Sequence, residues 1–322
     1  MSVRVHPRVL YAIIKPVSRW VLSPRASVAQ LRRRAELITR RPGSVPGVDI
    51  DQVTLGGVPA ERHTPHGGAP DLALLYLHGG GFMACSPRSH RPIVAHLSRG
   101  LRATAYVPDY RLAPEHPFPA AIEDTVTAYR ALLANGWPPS RIVVAGESAG
   151  GLLSLGLALT ARDDDELPPP AALGLMCSGF DLTPESLSRL PRARRDPTLT
   201  PAVCARFRAA YVADADPTHP LLSPLHAELT GLPPLVIHTG AEDLIAAHSR
   251  ELAERARAAG VTVRYREQAD LGHGFQLMTG LLTQADNAAD DLITDLRAAL
   301  ARHTTRQPRT DSKEFLDDPF TS

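Results

Sequence analysis

Between Leu72 and Cys177 the chain alternates without interruption between short apolar runs and longer stretches of helical spacing. Leu72–His78, Ala103–Pro108, Arg141–Gly146 and Ala171–Cys177 read as strands, and Arg88–Gly100, Pro119–Asn135 and Ser148–Thr160 as the helices between them. Strands apolar at successive positions must be covered on both faces, and strand–helix–strand repeats make neighbouring strands parallel. The alternation resumes with Leu235–Thr239, a helix over His248–Ala259, a strand over Val261–Arg266 and a closing helix over Asn287–Ala301. The fold class predicted is α/β, a mostly parallel central sheet with helices on both faces.

Three segments stand outside this rhythm. Residues 48–63 alternate weakly and read as an opening hairpin around Gly56-Gly57. From Cys177 to Leu235 the alternation stops for almost 60 residues, too long for a plain crossover, so an insertion over the site is expected. Residues 1–41 look helical and amphipathic, broken at Pro16 and Pro24. The polar, aperiodic stretch from His303 onward reads as a disordered tail.

Composition narrows the setting. Three widely spaced cysteines, Cys85, Cys177 and Cys204, argue against a disulfide framework and for a reducing compartment, so a cytoplasmic location is expected. No run reaches the roughly 20 apolar residues of a membrane span, and Val9–Ile14, cut by Lys15, Pro16 and Arg19, does not read as a signal peptide. The net charge of +1 hides an asymmetry: residues 1–41 and 182–212 hold 16 basic against 3 acidic residues, the remainder 19 against 31. That pattern admits a weak attraction to an anionic membrane surface or an acidic substrate, or a solvated face whose charges pair across an interface.

The chemistry is concentrated in two strings. Arg141–Glu147 runs as a strand straight into Ser148 of Gly146-Glu147-Ser148-Ala149-Gly150, and a helix follows. A sharp strand-to-helix turn there holds the serine in a strained conformation with its hydroxyl exposed, and the flanking glycines make room for it. Upstream, His78-Gly79-Gly80-Gly81 also follows a strand. Acyl transfer needs donors for the oxyanion as well as a nucleophile. The backbone N–H groups of Gly79, Gly80 and Ala149 are the candidates, with His78 fixing the loop. A base and an acid must then come from further along the chain, acid first. Leu235–Thr239 ends in Gly240-Ala241-Glu242-Asp243, which points to Asp243, with Glu242 as the alternative. The loop Leu271-Gly272-His273-Gly274-Phe275 offers His273 as the base, whereas His238 and His248 read as structural.

Taken with Asp109-Tyr110-Arg111-Leu112-Ala113-Pro114-Glu115-His116-Pro117-Phe118-Pro119-Ala120, Asp216-Pro217, Ser223-Pro224-Leu225, Gly231–Leu235 and His273-Gly274-Phe275, these strings resemble the hormone-sensitive lipase family of bacterial esterases and acetyl-hydrolases over about residues 70–300. The resemblance implies an α/β-hydrolase fold with a helical cap, a triad of Ser148, Asp243 and His273, and an oxyanion hole at Gly79, Gly80 and Ala149. It divides the chain into N-terminal cap helices (1–45), a first core part (46–180), a cap insertion (181–230), a second core part (231–302) and the tail (303–322). Asp109, Arg111 and Glu115 are expected to form a charge network bracing the glycine loop. Two departures stand out: Cys85-Ser86 replaces the family's glycine-serine pair, and Leu244 replaces the proline common after the acid.

The activity implied is cleavage of carboxylic esters of short to medium acyl chain through an acyl-enzyme, on small-molecule substrates. An N-acetyl-hydrolase or amidase and a lactonase would use the same triad, and a non-catalytic receptor would lack one of its members. No GxxxxGK[ST] or GxGxxG string follows a strand, so nucleotide binding is not expected; nor is a nucleic-acid partner. His63 and His66 lack neighbouring ligands, so neither cofactor nor metal is expected. A homodimer through the Val261–Arg266 edge strand fits the same pattern.

Overall fold

A computed structural model describes residues 4–39, 45–67, 70–191 and 196–306. Eight strands form one sheet in the order β1-β2-β4-β3-β5-β6-β7-β8. They are β1 (Val48–Leu55), β2 (Val58–Pro65), β3 (Leu72–Leu77), β4 (Ala103–Pro108), β5 (Ile142–Glu147), β6 (Ala172–Met176), β7 (Leu235–Gly240) and β8 (Val263–Gln268). The opening hairpin β1–β2 is antiparallel and β2 meets β4 antiparallel. Every pairing from β4 through β8 is parallel.

The side-chain period of two divides the central strands between two cores. Ala73, Leu75 and Leu77 of β3, with Ile142 and Val144 of β5, face one layer. There they pack against α4 (Ala120–Ala134), α5 (Ala149–Asp163) and α8 (Ala246–Ala258). Leu74 and Tyr76, with Val143 and Ala145, face the other layer, against α3 (Pro87–Leu101) and α9 (Thr283–Arg306). Both β3 and β5 are buried at every position, as their uninterrupted apolar runs require.

α9 continues to Arg306, past the expected tail boundary at His303, since no glycine or proline intervenes before Pro308. The rest of the expected tail lies outside the described residues. At the other end, α1 (Pro7–Val21) runs through Pro16 rather than breaking there. Both Pro16 and Ala12 are exposed, so the helix bond lost at the proline leaves a carbonyl that water can reach. The break falls after Val21, in the stretch containing Pro24, and α2 (Val28–Thr39) follows.

Within the long insertion, α6 (Pro184–Arg189) and α7 (Pro201–Val212) are each capped by a threonine side chain, Thr183 and Thr200. Leu199 and Val203 form a cluster with Leu244 and Ile245, and Leu22 from the α1–α2 connection packs against it. Arg206 donates to the Ser23 carbonyl at 2.9 Å. The insertion and the N-terminal helices are therefore joined to each other and to the loop after β7. Arg192, Arg194 and Arg195, part of the basic excess, lie outside the described residues. Of the rest, Arg32 is turned inward to Glu115 at 2.6 Å.

Candidate active site

Four loops at the carboxyl ends of parallel strands meet at one place, as ligand sites of open α/β sheets do. They follow β3, β5, β7 and β8. The β5 loop is a single residue. Ser148 has φ 53° and ψ −117° and stands directly before α5. This left-handed backbone costs about 1–3 kcal/mol for a residue with a side chain. Its surroundings hold it there: the Ser148 amide donates to the Met176 carbonyl at 2.8 Å. A Cβ on Gly146 would strike the Gly150 backbone, and one on Gly150 the Leu77 carbonyl. The close approach of strand, elbow and helix thus explains both glycines.

Ser148 Oγ lies 2.9 Å from His273 Nε2. His273 Nδ1 in turn lies 3.1 and 3.2 Å from the two carboxylate oxygens of Asp243. Asp243 is buried and accepts from the Ile245 amide at 3.0 Å. Glu242, the alternative, is half-buried on the adjacent position; the carboxylate brought to the imidazole is that of Asp243. The loops after β7 and β8 are stitched together by main-chain bonds, Ala241 N–H to Gln268 and Glu242 N–H to Leu271, each 2.9 Å. A Cβ on Gly240 would strike the Leu271 carbonyl, so the seam is as tight as a backbone allows. Burial disfavours a charged His273, but the Asp243 carboxylate, its hydrogen bond, and the charges of Glu147 and Asp196 outweigh it and hold the imidazole up at about 9.

The glycine loop departs from expectation at one position. The amide of Gly79 donates to His90 Nε2 on α3 at 3.1 Å, so it is not available to a substrate oxygen. A Cβ there would strike the Glu147 carboxylate. The amides of Gly80 and Gly81 have no acceptor among the described residues, and Ala149, in the first turn of α5, has no intrahelical acceptor. Gly80 and Gly81 carry φ of 111° and 62°. A Cβ on Gly81 would overlap the Phe207 ring of α7, so the insertion packs directly on this loop.

His78 braces the loop, its Nδ1 2.8 Å from the Gly79 carbonyl and its ring stacked on Tyr110 at 4.2 Å. Burial and nearby His90 push its pKa down to about 3, so it is neutral. The charge network is only partly as expected. Glu115 holds Arg32, whose Nε donates to the Met83 carbonyl at 2.9 Å and so does brace the loop. Arg111 instead pairs with Asp124 and Glu123 on α4, and Asp109 forms no ion pair with a described residue. His238 pairs with Asp295 at 3.2 Å and His248 bonds Phe180 N–H and Ser186, both structural as read. Among the described residues, no three His, Cys, Asp or Glu side chains group as metal ligands.

Both departures from the family pattern have a structural counterpart. Cys85 has φ 69°, a conformation that favours the glycine it replaces, and burial pushes its thiol up to about 12, so it packs as a small apolar group. Leu244, unlike a proline, has an amide, and that amide donates to Asp196 Oδ2 at 2.7 Å. Asp196 Oδ1 accepts from Thr198 and Leu199 amides at 2.7 and 3.1 Å. Sequence reading missed Asp196, His90 and Glu147. His90 offered a signal, a histidine on the apolar face of a helix with Ile93, Val94 and Leu97, where a buried ring must find partners. Glu147 is buried with Oε2 3.5 Å from His90 and Oε1 3.7 Å from His273 Nε2.

Residues 74–277 match the α/β-hydrolase-fold family. The chain is 39% identical over 249 residues to an acetyl-hydrolase of Streptomyces hygroscopicus, covering 77% of this chain and 83% of that one. It is 32% identical over 284 residues to an esterase of Acinetobacter venetianus, covering 88% and 92%. The structure of a hormone-sensitive lipase from a metagenome library superposes with a TM-score of 0.85 at 36% identity, covering 93% of this chain and 100% of that chain.

Proposed function

The chain belongs to the α/β-hydrolase fold family, in its hormone-sensitive-lipase branch, and is a carboxylic ester hydrolase acting on small-molecule esters; on that premise we propose that Ser148, His273 and Asp243 carry the reaction, with Gly80, Gly81 and Ala149 as oxyanion donors. The observation that carries this reading is the unbroken run of contacts from Ser148 Oγ through His273 to Asp243. Ser148 Oγ attacks the ester carbonyl carbon while His273 Nε2 takes its proton. The carbonyl π electrons move to oxygen, where the three amides receive the charge. As the tetrahedral adduct collapses, the bond to the alcohol oxygen breaks and His273 returns the proton to it. Water then repeats the sequence on the acyl-enzyme, His273 again taking and returning the proton, and releases the acid.

Residues 1–45 and 181–230 are proposed as a cap over this site, which the packing of Phe207 on Gly81 supports. Short acyl chains are the proposed substrates, in line with the name of the Streptomyces acetyl-hydrolase. Three free cysteines support a cytoplasmic location, and among the described residues no helix is long and apolar enough to cross a membrane. The half-exposed edge strand β8 supports a homodimer across it, and the basic excess of the N-terminal segment supports electrostatic attachment to an anionic surface.

A burst of nitrophenolate from acyl test esters, absent in Ser148→Ala, tests the covalent step. A series from acetyl to dodecanoyl esters, with an N-acetyl amide alongside, tests the substrate class. No burst, or amide turnover exceeding ester turnover, would overturn the reading.

A further inference from the structure

α1 has two apolar faces. Leu10 belongs to a cluster with Leu271, Phe275 and Leu282, and Ile14 packs against it, so one face rests on the loop carrying His273. Tyr11 extends the same contact, its hydroxyl donating to the Asp270 carbonyl at 2.7 Å. On the arc beside it Val9, Ile13, Val17 and Trp20 are 54%, 61%, 40% and 45% exposed. Their spacing of four, four and three residues puts them within an arc of about 80° on a helix of 3.6 residues per turn. The Arg34 guanidinium lies 4.8 Å over the Trp20 ring. Leu37 and Ile38, one helical turn further on the Arg34 face of α2, are 62% and 49% exposed. A contiguous row of large exposed apolar groups is unusual on a free surface and marks a place of contact.

Charge identifies the occupant. Residues 4–39 hold eight Lys or Arg and one acid, Glu36. That acid is turned inward, accepting from Ser86 Oγ at 2.6 Å. Lys15, Arg19, Arg25 and Arg33 form no ion pair with a described residue, so they are available around the apolar row. A helix with one apolar row, basic residues beside it, no acid of its own and a tryptophan under an arginine has the chemistry of the headgroup boundary of a bilayer. We infer that α1 docks the enzyme on an anionic phospholipid surface, with Val9, Ile13, Val17 and Trp20 entering the acyl boundary and the cations on the phosphates. The inference rests on the electrostatic attachment proposed above and deepens it from charge attraction to insertion. Because the adjoining face of α1 rests on the His273 loop, docking seats the catalytic loops beside the lipid, where poorly soluble esters reside.

The chain has two tryptophans, Trp20 and Trp137, so a full-length Trp137→Phe protein reports on Trp20 alone. Its emission and cosedimentation are measured with phosphatidylcholine vesicles and with vesicles containing phosphatidylglycerol, at low and at physiological salt. The inference requires binding to the anionic vesicles that survives physiological salt, a blue shift, and quenching by brominated acyl chains. Val9→Ser with Ile13→Ser weakens this binding by about tenfold or more, since two aliphatic side chains lose their burial. Unchanged circular dichroism and unchanged turnover of a water-soluble ester show that the variant is folded. Binding only at low salt and indifferent to the variant overturns insertion while leaving charge attraction standing. No binding at either salt overturns both, and sedimentation of a dimer dispersed by the variant, without vesicle binding, assigns the face to a second copy instead. Turnover of the soluble ester tests the esterase reading separately in every arm.

Discussion

Replacing Asp243 with asparagine removes the charge that holds His273 cationic while keeping the shape of the site. In the folded chain burial opposes protonation of His273, yet the neighbouring carboxylates, Asp243 foremost, raise it from 6.5 to about 9. That difference corresponds to about 3 kcal/mol in favour of the imidazolium. The base must be neutral to accept the Ser148 proton, so kcat/KM of the wild type rises with pH through a midpoint well above 6.5. In Asp243→Asn the midpoint falls back toward 6.5, and kcat drops on the order of ten-thousandfold, because asparagine also favours the wrong tautomer. The same linkage acts on stability. A histidine raised on folding contributes its stabilisation fully below pH 6.5 and loses it as pH rises through about 9. Chemical denaturation should therefore show the wild type losing up to about 3 kcal/mol across that window, and Asp243→Asn losing little. The assay is the pH profile of kcat/KM on an acyl nitrophenyl ester, with Ser148→Ala as the blank for spontaneous hydrolysis. A wild-type midpoint at or below 6.5 would refute the reasoning. So would a midpoint moved by Glu242→Gln and left in place by Asp243→Asn.

Three further outcomes follow from contacts. His90→Ala orphans the buried Gly79 amide, which costs about 1–3 kcal/mol; steady-state kinetics should show kcat falling roughly tenfold or more with KM nearly constant, because the loop's fit to the transition state is what suffers. Asp196→Ala leaves three amides without their carboxylate, and urea titration should show destabilisation of about 3 kcal/mol or more. Arg102 closes α3 with φ 57° and ψ 46° and is exposed, so Arg102→Gly should raise stability by roughly 0.5–1 kcal/mol, measured as a higher Tm.

The parallel sheet was legible because its inner strands open as unbroken apolar runs, the pattern of strands covered on both faces. The contact order Ser148, His273, Asp243 was legible because each residue follows a strand, and a strand's end is where a side chain can emerge into a site. What escaped was pairing in space. Three consecutive glycines look alike in sequence, and only the position of His90, eleven residues on, gives the Gly79 amide an acceptor and sets it apart from the two proposed oxyanion donors. Pro16 is a breaker by local rule, yet the burial of Val21 and the packing of Leu10 and Ile14 hold α1 together through it. Asp196 was the hardest to see, an acid in a basic stretch whose partner amides lie partly in another loop.

The bond from Asp196 to the Leu244 amide bears on how this enzyme can be altered. It joins the insertion to the residue after the proposed catalytic acid, and it exists only because that residue is not proline. An insertion grafted in without a carboxylate at this point would strand a buried N–H beside Asp243. Leu244→Pro would take away the donor to Asp196 Oδ2 and leave the carboxylate held only by the Thr198 and Leu199 amides of its own segment. The insertion thus carries one of the contacts that fix the loop after β7, and redesign of specificity by exchanging it has to supply that acceptor anew.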